Sequence, residues 1–266
     1  MELSVAQFGI VSNMFSFTIA SMGAAALFFF LSRTSVAPKY RPALMVSGLV
    51  VSIACYHYVR IYQSWHEAYA LADGVFKATA LTFNDAYRYA DWILTVPLLM
   101  VELIAVLALP KGESRSLLTK LVIAAALMIG LGYPGEVSGD TTTRWIFWGA
   151  SMLPFLYILA ILYTQLTSSL QTQPQAVRGL VSFARLVLLT TWSFYPIAYA
   201  IITVTGTRSA TGQVALQIGY TIADITAKAG FGLLIYNIAR VKSESEGYSP
   251  DHVDSAPATN RAAAIA

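Results

Sequence analysis

Seven stretches of this chain are long and apolar enough to cross a bilayer, and that count limits what the chain can fold into. They run at about Phe8–Leu31, Ala43–Trp65, Tyr87–Leu109, Leu117–Tyr133, Trp145–Leu166, Val177–Val204 and Gln213–Ile238. A helix needs about 20 mostly apolar residues to span the hydrocarbon core. Breakers separate the stretches: Pro38 lies between Arg33 and Arg41, Pro110-Lys111-Gly112 follows the third, and Pro134-Gly135-Glu136 follows the fourth. Two-residue alternation is absent, which argues against a barrel. Only 12% of the 266 residues are charged and 56% are hydrophobic, whereas a soluble domain carries about 25% charged residues. The single cysteine, Cys55, excludes a disulfide scaffold. A scattered net charge of +3 excludes a nucleic-acid surface. The expectation is an all-α, seven-transmembrane-helix bundle in the cell membrane, with no nucleic-acid partner and no metal.

Lys and Arg accumulate at cytoplasmic ends. In an alternating model, ten of them (Arg33, Lys39, Arg41, Lys111, Arg115, Lys120, Arg178, Arg185, Arg240 and Lys242) fall on one side. Five, Arg60, Lys77, Arg88, Arg144 and Arg208, fall on or toward the other. The N-terminus is therefore expected outside and the C-terminus inside. Residues 1–242 read as one membrane domain. Residues 243–266 turn to Ser, Glu, Asp and Ala and read as a disordered cytoplasmic tail. Met1 to Gln7 has no basic n-region, so no cleavable signal peptide is expected.

Ionisable residues inside the spans carry the functional signal, because each costs several kcal/mol unless paired. The seventh span holds Asp224 and Lys228, whose i, i+4 spacing puts them on one helix face. A structural ion pair is the alternative, but replacing a buried pair with apolar residues is often neutral or stabilising. In the third span Arg88, Asp91, Thr95 and Glu102 point within roughly 60° of one another at about 100° per residue. Glu102 lies about 16 Å along the axis from Asp91 at about 1.5 Å per residue. Arg88, and Lys228 if the helices meet, give Asp91 cationic neighbours. Glu102 is flanked by Leu98, Leu99, Met100, Val101 and Leu103. One carboxylate placed among charges and another in hydrocarbon, on a single face, read as a ladder of proton stations.

Arg88-Tyr-Ala-Asp-Trp-Ile-Leu-Thr-Val-Pro-Leu-Leu, the Asp-x-x-x-Lys of the seventh span and Trp192-Ser-Phe-Tyr-Pro on the sixth resemble the microbial rhodopsins. Within them the match is to the proteorhodopsin and xanthorhodopsin-like proton pumps, over roughly residues 8–240. The resemblance implies all-trans retinal on Lys228 as a protonated Schiff base, with Asp91 and Asp224 as counter-ions. It implies that Asp91 is the proton acceptor and Glu102 the cytoplasmic donor. The Asp-Thr-Glu set of Asp91, Thr95 and Glu102 is the pattern of an outward proton pump; sodium pumps carry Asn-Asp-Gln, and sensory members usually lose the last carboxylate. A transporter is implied, not an enzyme, and a homo-oligomer, trimer or pentamer. A sensory photoreceptor with a partner transducer is the rival function. A seven-helix ligand receptor and a light-gated channel are further alternatives.

The resemblance also assigns smaller roles. His57, by itself a core histidine bonded to a carbonyl, is implied to hydrogen-bond Asp91. Trp92, Trp192, Tyr195, Pro196 and Tyr199 could be plain packing; Tyr195 and Tyr199 share a helix face with Trp192. The family places such residues around the polyene, and Leu99 at a position where an apolar residue goes with green absorption. Gly149 corresponds to a window through which a carotenoid antenna reaches retinal in xanthorhodopsin-like pumps, although helix packing explains a glycine equally and Trp148 is bulky enough to close it. The extracellular glutamate pair of haloarchaeal pumps has no counterpart in Thr205-Gly-Thr-Arg-Ser-Ala-Thr-Gly-Gln.

Overall fold

The computed structural model describes residues 1–205 and 209–249. Its helices are α1 (Val5–Leu31), α2 (Arg41–Ala68), α3 (Ala86–Leu107), α4 (Lys111–Val137), α5 (Thr141–Thr172), α6 (Gln175–Thr205), α7 (Ala210–Ile225) and α8 (Phe231–Ser245). A five-residue π segment, Thr226–Gly230, joins α7 to α8, so the three pieces make one seventh span. Seven spans therefore stand where seven were expected. Each helix packs on the next in chain order, and the seventh span closes the ring against α6, α1 and α2. That closure brings the last span onto the helices that carry the other polar residues.

Local signals set several of the helix ends. Ser4 and Gln7 form a reciprocal capping box at the start of α1. Ala108 ends α3 in a left-handed conformation, φ 52, just ahead of Pro110. Gly232 lets α8 approach α1, because a Cβ there would fall 2.6 Å from the Phe29 ring. Leu153 and Leu156 on α5, and Ile197 and Ile201 on α6, remain exposed. Such faces would be a liability in water but suit lipid.

Two features depart from the expectation. Three short antiparallel strands, β1 (Glu2–Ser4), β2 (Tyr69–Ala72) and β3 (Val75–Ala78), form a sheet ordered β1-β3-β2. Asp73 and Gly74 turn the β2–β3 hairpin with positive φ at both positions, 55 and 80. The Phe76 ring of β3 stacks on Phe8 of α1 with centroids 3.7 Å apart, which fixes the sheet over that end of the bundle. The architecture is thus helical with a small β cap. Second, the helical domain expected to end at residue 242 continues to Ser245. Ser243 is buried and its Oγ accepts from the Ala37 amide at 2.8 Å, so tertiary contact orders the start of the expected tail. Residues 250–266 of that tail, and Arg208, lie outside the described residues.

Candidate functional site

The π segment carries Lys228. A π turn adds one residue per turn and frequently marks a functional site in a membrane or soluble helix. Lys228 is buried, and its Nζ lies 2.5 Å from Asp224 Oδ1 and 3.0 Å from Asp91 Oδ2. The third and seventh spans therefore meet at this amine, the step that sequence spacing alone left open. The two carboxylates have unlike surroundings. Asp224 accepts hydrogen bonds from Tyr58 Oη and Tyr195 Oη, both at 2.7 Å, and from Trp92 Nε1 at 3.4 Å. Asp91 has Lys228 on Oδ2, while its Oδ1 is buried with no hydrogen-bond partner among the described residues.

His57 is brought to Asp91, but not within hydrogen-bonding distance. Its Nδ1 is 3.8 Å from Asp91 Oδ1 and 3.0 Å from the carbonyl of Ile53, one turn back on its own helix. The implied hydrogen bond is thus absent here, because the local carbonyl holds the ring nitrogen. Arg88 also departs from expectation. Its guanidinium turns from Asp91 to Tyr58 Oη (3.0 Å), Gln217 Oε1 (2.5 Å) and Asp224 Oδ2 (3.6 Å). The Thr95 hydroxyl donates to the backbone carbonyl of Asp91 at 3.0 Å, so it acts as a helix back-bond and not as a free rung between carboxylates. Four charged side chains, Arg88, Asp91, Asp224 and Lys228, are thus buried together. Desolvation costs several kcal/mol per ion, a heavy charge for stability alone.

An apolar slot opens from Lys228. Trp92, Leu99, Trp192, Tyr195, Pro196 and Tyr199, the six expected pocket residues, all line it. Gly132, Trp148 and Phe155 complete walls that sequence reasoning had not assigned. Trp148 Nε1 donates to the Pro196 carbonyl at 3.0 Å and ties α5 to α6. Gly149 does not line the slot, and a Cβ added there would meet no atom within 4 Å. A buried amine at one end and aromatic walls along the rest fit a long apolar carbonyl compound held on Lys228, as they fit retinal.

Glu102 lies further along α3, fully buried, and its Oε2 is 2.5 Å from Ser47 Oγ of α2. Its Oε1 has no hydrogen-bond partner among the described residues, and Leu99, Leu103 and Val106 on its own helix are buried in the main apolar cluster. Ser47 Oγ is also 3.1 Å from the Ala43 carbonyl. A hydroxyl has one proton to donate, so Ser47 can bond the Ala43 carbonyl and accept from Glu102, or donate to Glu102. Ser47, Tyr58 and Gln217 are functional candidates missed in the sequence. A polar side chain inside an apolar span was the one available signal for each. At the opposite end, Glu136 Oε2 sits 3.7 Å from Arg144 Nη2. Asp140 accepts from the Thr143 hydroxyl and amide, which hold its carboxyl below the usual range.

Residues 10–241 match the family model for bacteriorhodopsin-like proteins. A green-light absorbing proteorhodopsin from a gamma-proteobacterium is 32% identical, over 85% of this chain and 84% of its own. The crystal structure of a xanthorhodopsin, described as a light-driven ion pump with dual chromophore, is 54% identical with a TM-score of 0.90, covering 94% of this chain and 99% of its own. A thermophilic rhodopsin structure is 48% identical with a TM-score of 0.89, covering 93% and 99%. With its ring of seven spans and a buried lysine facing two carboxylates, the chain belongs to the bacteriorhodopsin-like family of multi-pass membrane proteins.

Proposed function

We propose that this chain is a light-driven outward proton pump carrying retinal on Lys228. The observation that carries the reading is the asymmetry around one amine: Lys228 Nζ touches Asp91 and Asp224, while Glu102, bonded to Ser47, lies among apolar residues further along α3. Retinal, bound through Lys228 Nζ as a Schiff base, would supply light absorption and isomerisation, and the nitrogen that holds or releases the proton would be Lys228 Nζ itself. Asp91 then takes the proton from Nζ, because its Oδ1 has no competing donor. Asp224 keeps its charge, held by Tyr58, Tyr195 and Arg88. Glu102 returns a proton to Nζ from the inner side, and Ser47 holds its carboxyl in place. Trp92, Trp192 and Tyr195 fix the slot around the chromophore, and Leu99 on its wall goes with green absorption. The basic-residue distribution places the N-terminus outside, so the Glu102 end faces the cytoplasm. A membrane potential opposes each exported charge by about 2.3 kcal/mol per 100 mV, far below the energy of a visible photon.

The test is the pH of an unbuffered suspension of cells expressing the chain with added retinal, in light and dark. Light-driven acidification that an uncoupler abolishes is expected. Coloured cells with no pH change would overturn the pump in favour of a sensor signalling through a transducer, although a sensor gains nothing from retaining Glu102. A carotenoid antenna is a second reading, favoured by the open surface at Gly149. In that reading the neighbouring Trp148, on the slot wall, faces retinal from the inside. Energy transfer from added carotenoid that Gly149→Trp removes is the expected result; no transfer in the parent protein would end it.

A further inference from the structure

Asp85 is a carboxylate that the cycle above leaves unused. It stands immediately before α3, with its side chain 30% exposed at the outer end of the bundle. Oδ1 accepts from Arg88 Nε at 3.4 Å and from Gln217 Nε2 at 3.2 Å, and Oδ2 accepts from the same Gln217 nitrogen at 3.3 Å. Both oxygens are therefore acceptors, the arrangement of an ionised carboxylate. Gln217 is fully buried, and its Oε1 accepts from Arg88 Nη2. The same guanidinium reaches inward to Tyr58 and Asp224. One cation thus ties the buried pair at Lys228 to a carboxylate that meets external water.

We propose, on the pump reading, that Asp85 is the exit station for the outward-moving proton. When Asp91 resets, its O–H bond breaks and the proton passes through water to an Asp85 oxygen. The Asp85 O–H bond then breaks and the proton enters the outer solvent. One proton leaves and both carboxylates return to the ionised form. Arg88 stays protonated throughout, and with Gln217 it positions Asp85 without carrying the proton. Asp140 accepts from Thr143, and Glu136 Oε2 faces Arg144 Nη2 at 3.7 Å without a hydrogen bond; Asp85, by contrast, is bonded to Arg88 and Gln217, which lead to the buried pair.

Other groups face Asp85 besides Arg88 on its own helix. They are Tyr69 on β2, Glu136 on α4 and Tyr220 with Gln217 on α7. Burial pushes the Asp85 carboxyl above the usual range, against the opposing pull of Arg88 and Gln217. Below its pKa the station is already occupied, so proton release should slow as the medium is acidified. Because that pKa is raised, slowing begins at a less acidic pH than an exposed aspartate would give.

The experiment follows flash-induced proton appearance outside the full-length, retinal-loaded protein in lipid vesicles, with a pH-sensitive dye. Asp85→Asn should delay release severalfold and abolish the acid slowing, and Asp85→Glu should restore prompt release. Infrared difference spectra of wild type and Asp85→Glu supply a second readout, in which a transient carboxylic-acid band should shift between the two. Wild-type timing in Asp85→Asn, or no shifted band in Asp85→Glu, overturns the proposal while the pump stands. Absence of any proton transport in the wild type takes down the pump reading itself. Delayed release in Glu136→Gln with normal release in Asp85→Asn would move the exit to α4 and overturn it as well.

Discussion

The two halves of the path along α3 are built on opposite plans. Toward the sheet end, Asp91, Asp224, Lys228, Arg88, Tyr58 and Gln217 form a connected network with 2.5–3.6 Å spacings. Toward the other end, Glu102 has Ser47 as its one hydrogen-bond partner among the described residues, and Leu99, Leu103 and Val106 beside it are apolar. A crowded network holds charges in fixed places where partners repay their burial, as Tyr58, Tyr195 and Lys228 do for Asp224, while Asp91 keeps one oxygen unbonded among the described residues. A lone carboxyl in hydrocarbon is expensive to ionise. On the pump reading proposed above, the difference would give the proton its direction, with the accepting side prepared for charge and the donating side prepared to avoid it.

Removing the centre of the network should have the largest effect. Lys228→Ala is expected to abolish visible absorbance and transport together, measured on purified protein with added retinal; a coloured variant would break the comparison at its root. Asp91→Asn comes next. Colour should persist while light-driven acidification falls by about 10²–10⁴-fold, the range for losing a positioned proton acceptor. Undiminished transport would mean that Asp224, despite the hydrogen bonds it accepts from Tyr58, Tyr195 and Trp92, is the acceptor.

The dry half is tested by smaller changes. Glu102→Gln should slow the late, re-protonating phase of the photocycle by roughly a hundredfold, with partial recovery when small diffusible weak acids are added. Turnover at the wild-type rate would show that the isolated carboxyl stores no proton. Ser47→Ala should have the smallest effect. Losing one bond to a buried carboxyl costs about 1–2 kcal/mol, so the same phase should change by about tenfold. Flash spectroscopy at the wavelength of that phase sharpens the comparison, because Ser47→Ala should leave the early, Asp91-dependent phase alone.

Some of this was legible in the chain and some was not. The spans were readable because twenty-residue apolar runs have few other uses, and Asp224 and Lys228 because i, i+4 spacing is local geometry. Helical period put Thr95 on the face of Asp91 and Glu102 but could not show that its hydroxyl donates to the nearer Asp91 carbonyl. His57 stands beside Asp91 at 3.8 Å, but the sequence could not show that its Nδ1 bonds the Ile53 carbonyl instead. The sheet escaped notice because strands of three and four residues show too little alternation to read; the Asp73-Gly74 pair was the available hint.

By itself the sequence determined that this chain must span a membrane seven times, and that charged residues lie on chosen faces of the third and seventh spans. Those are properties of hydrophobicity and helical period, which act over a few turns. Only the tertiary structure decided which carboxylate is crowded and which is left with a free oxygen. It also decided that Ser47 belongs to Glu102, that Tyr58 belongs to Asp224, and that Asp85 is tied through Arg88 and Gln217 to the buried pair. These partners are 55, 166 and 132 residues apart for Ser47–Glu102, Tyr58–Asp224 and Asp85–Gln217. No local period reports on such pairs; they exist because the seventh span closes the ring and turns its polar face toward α2 and α3.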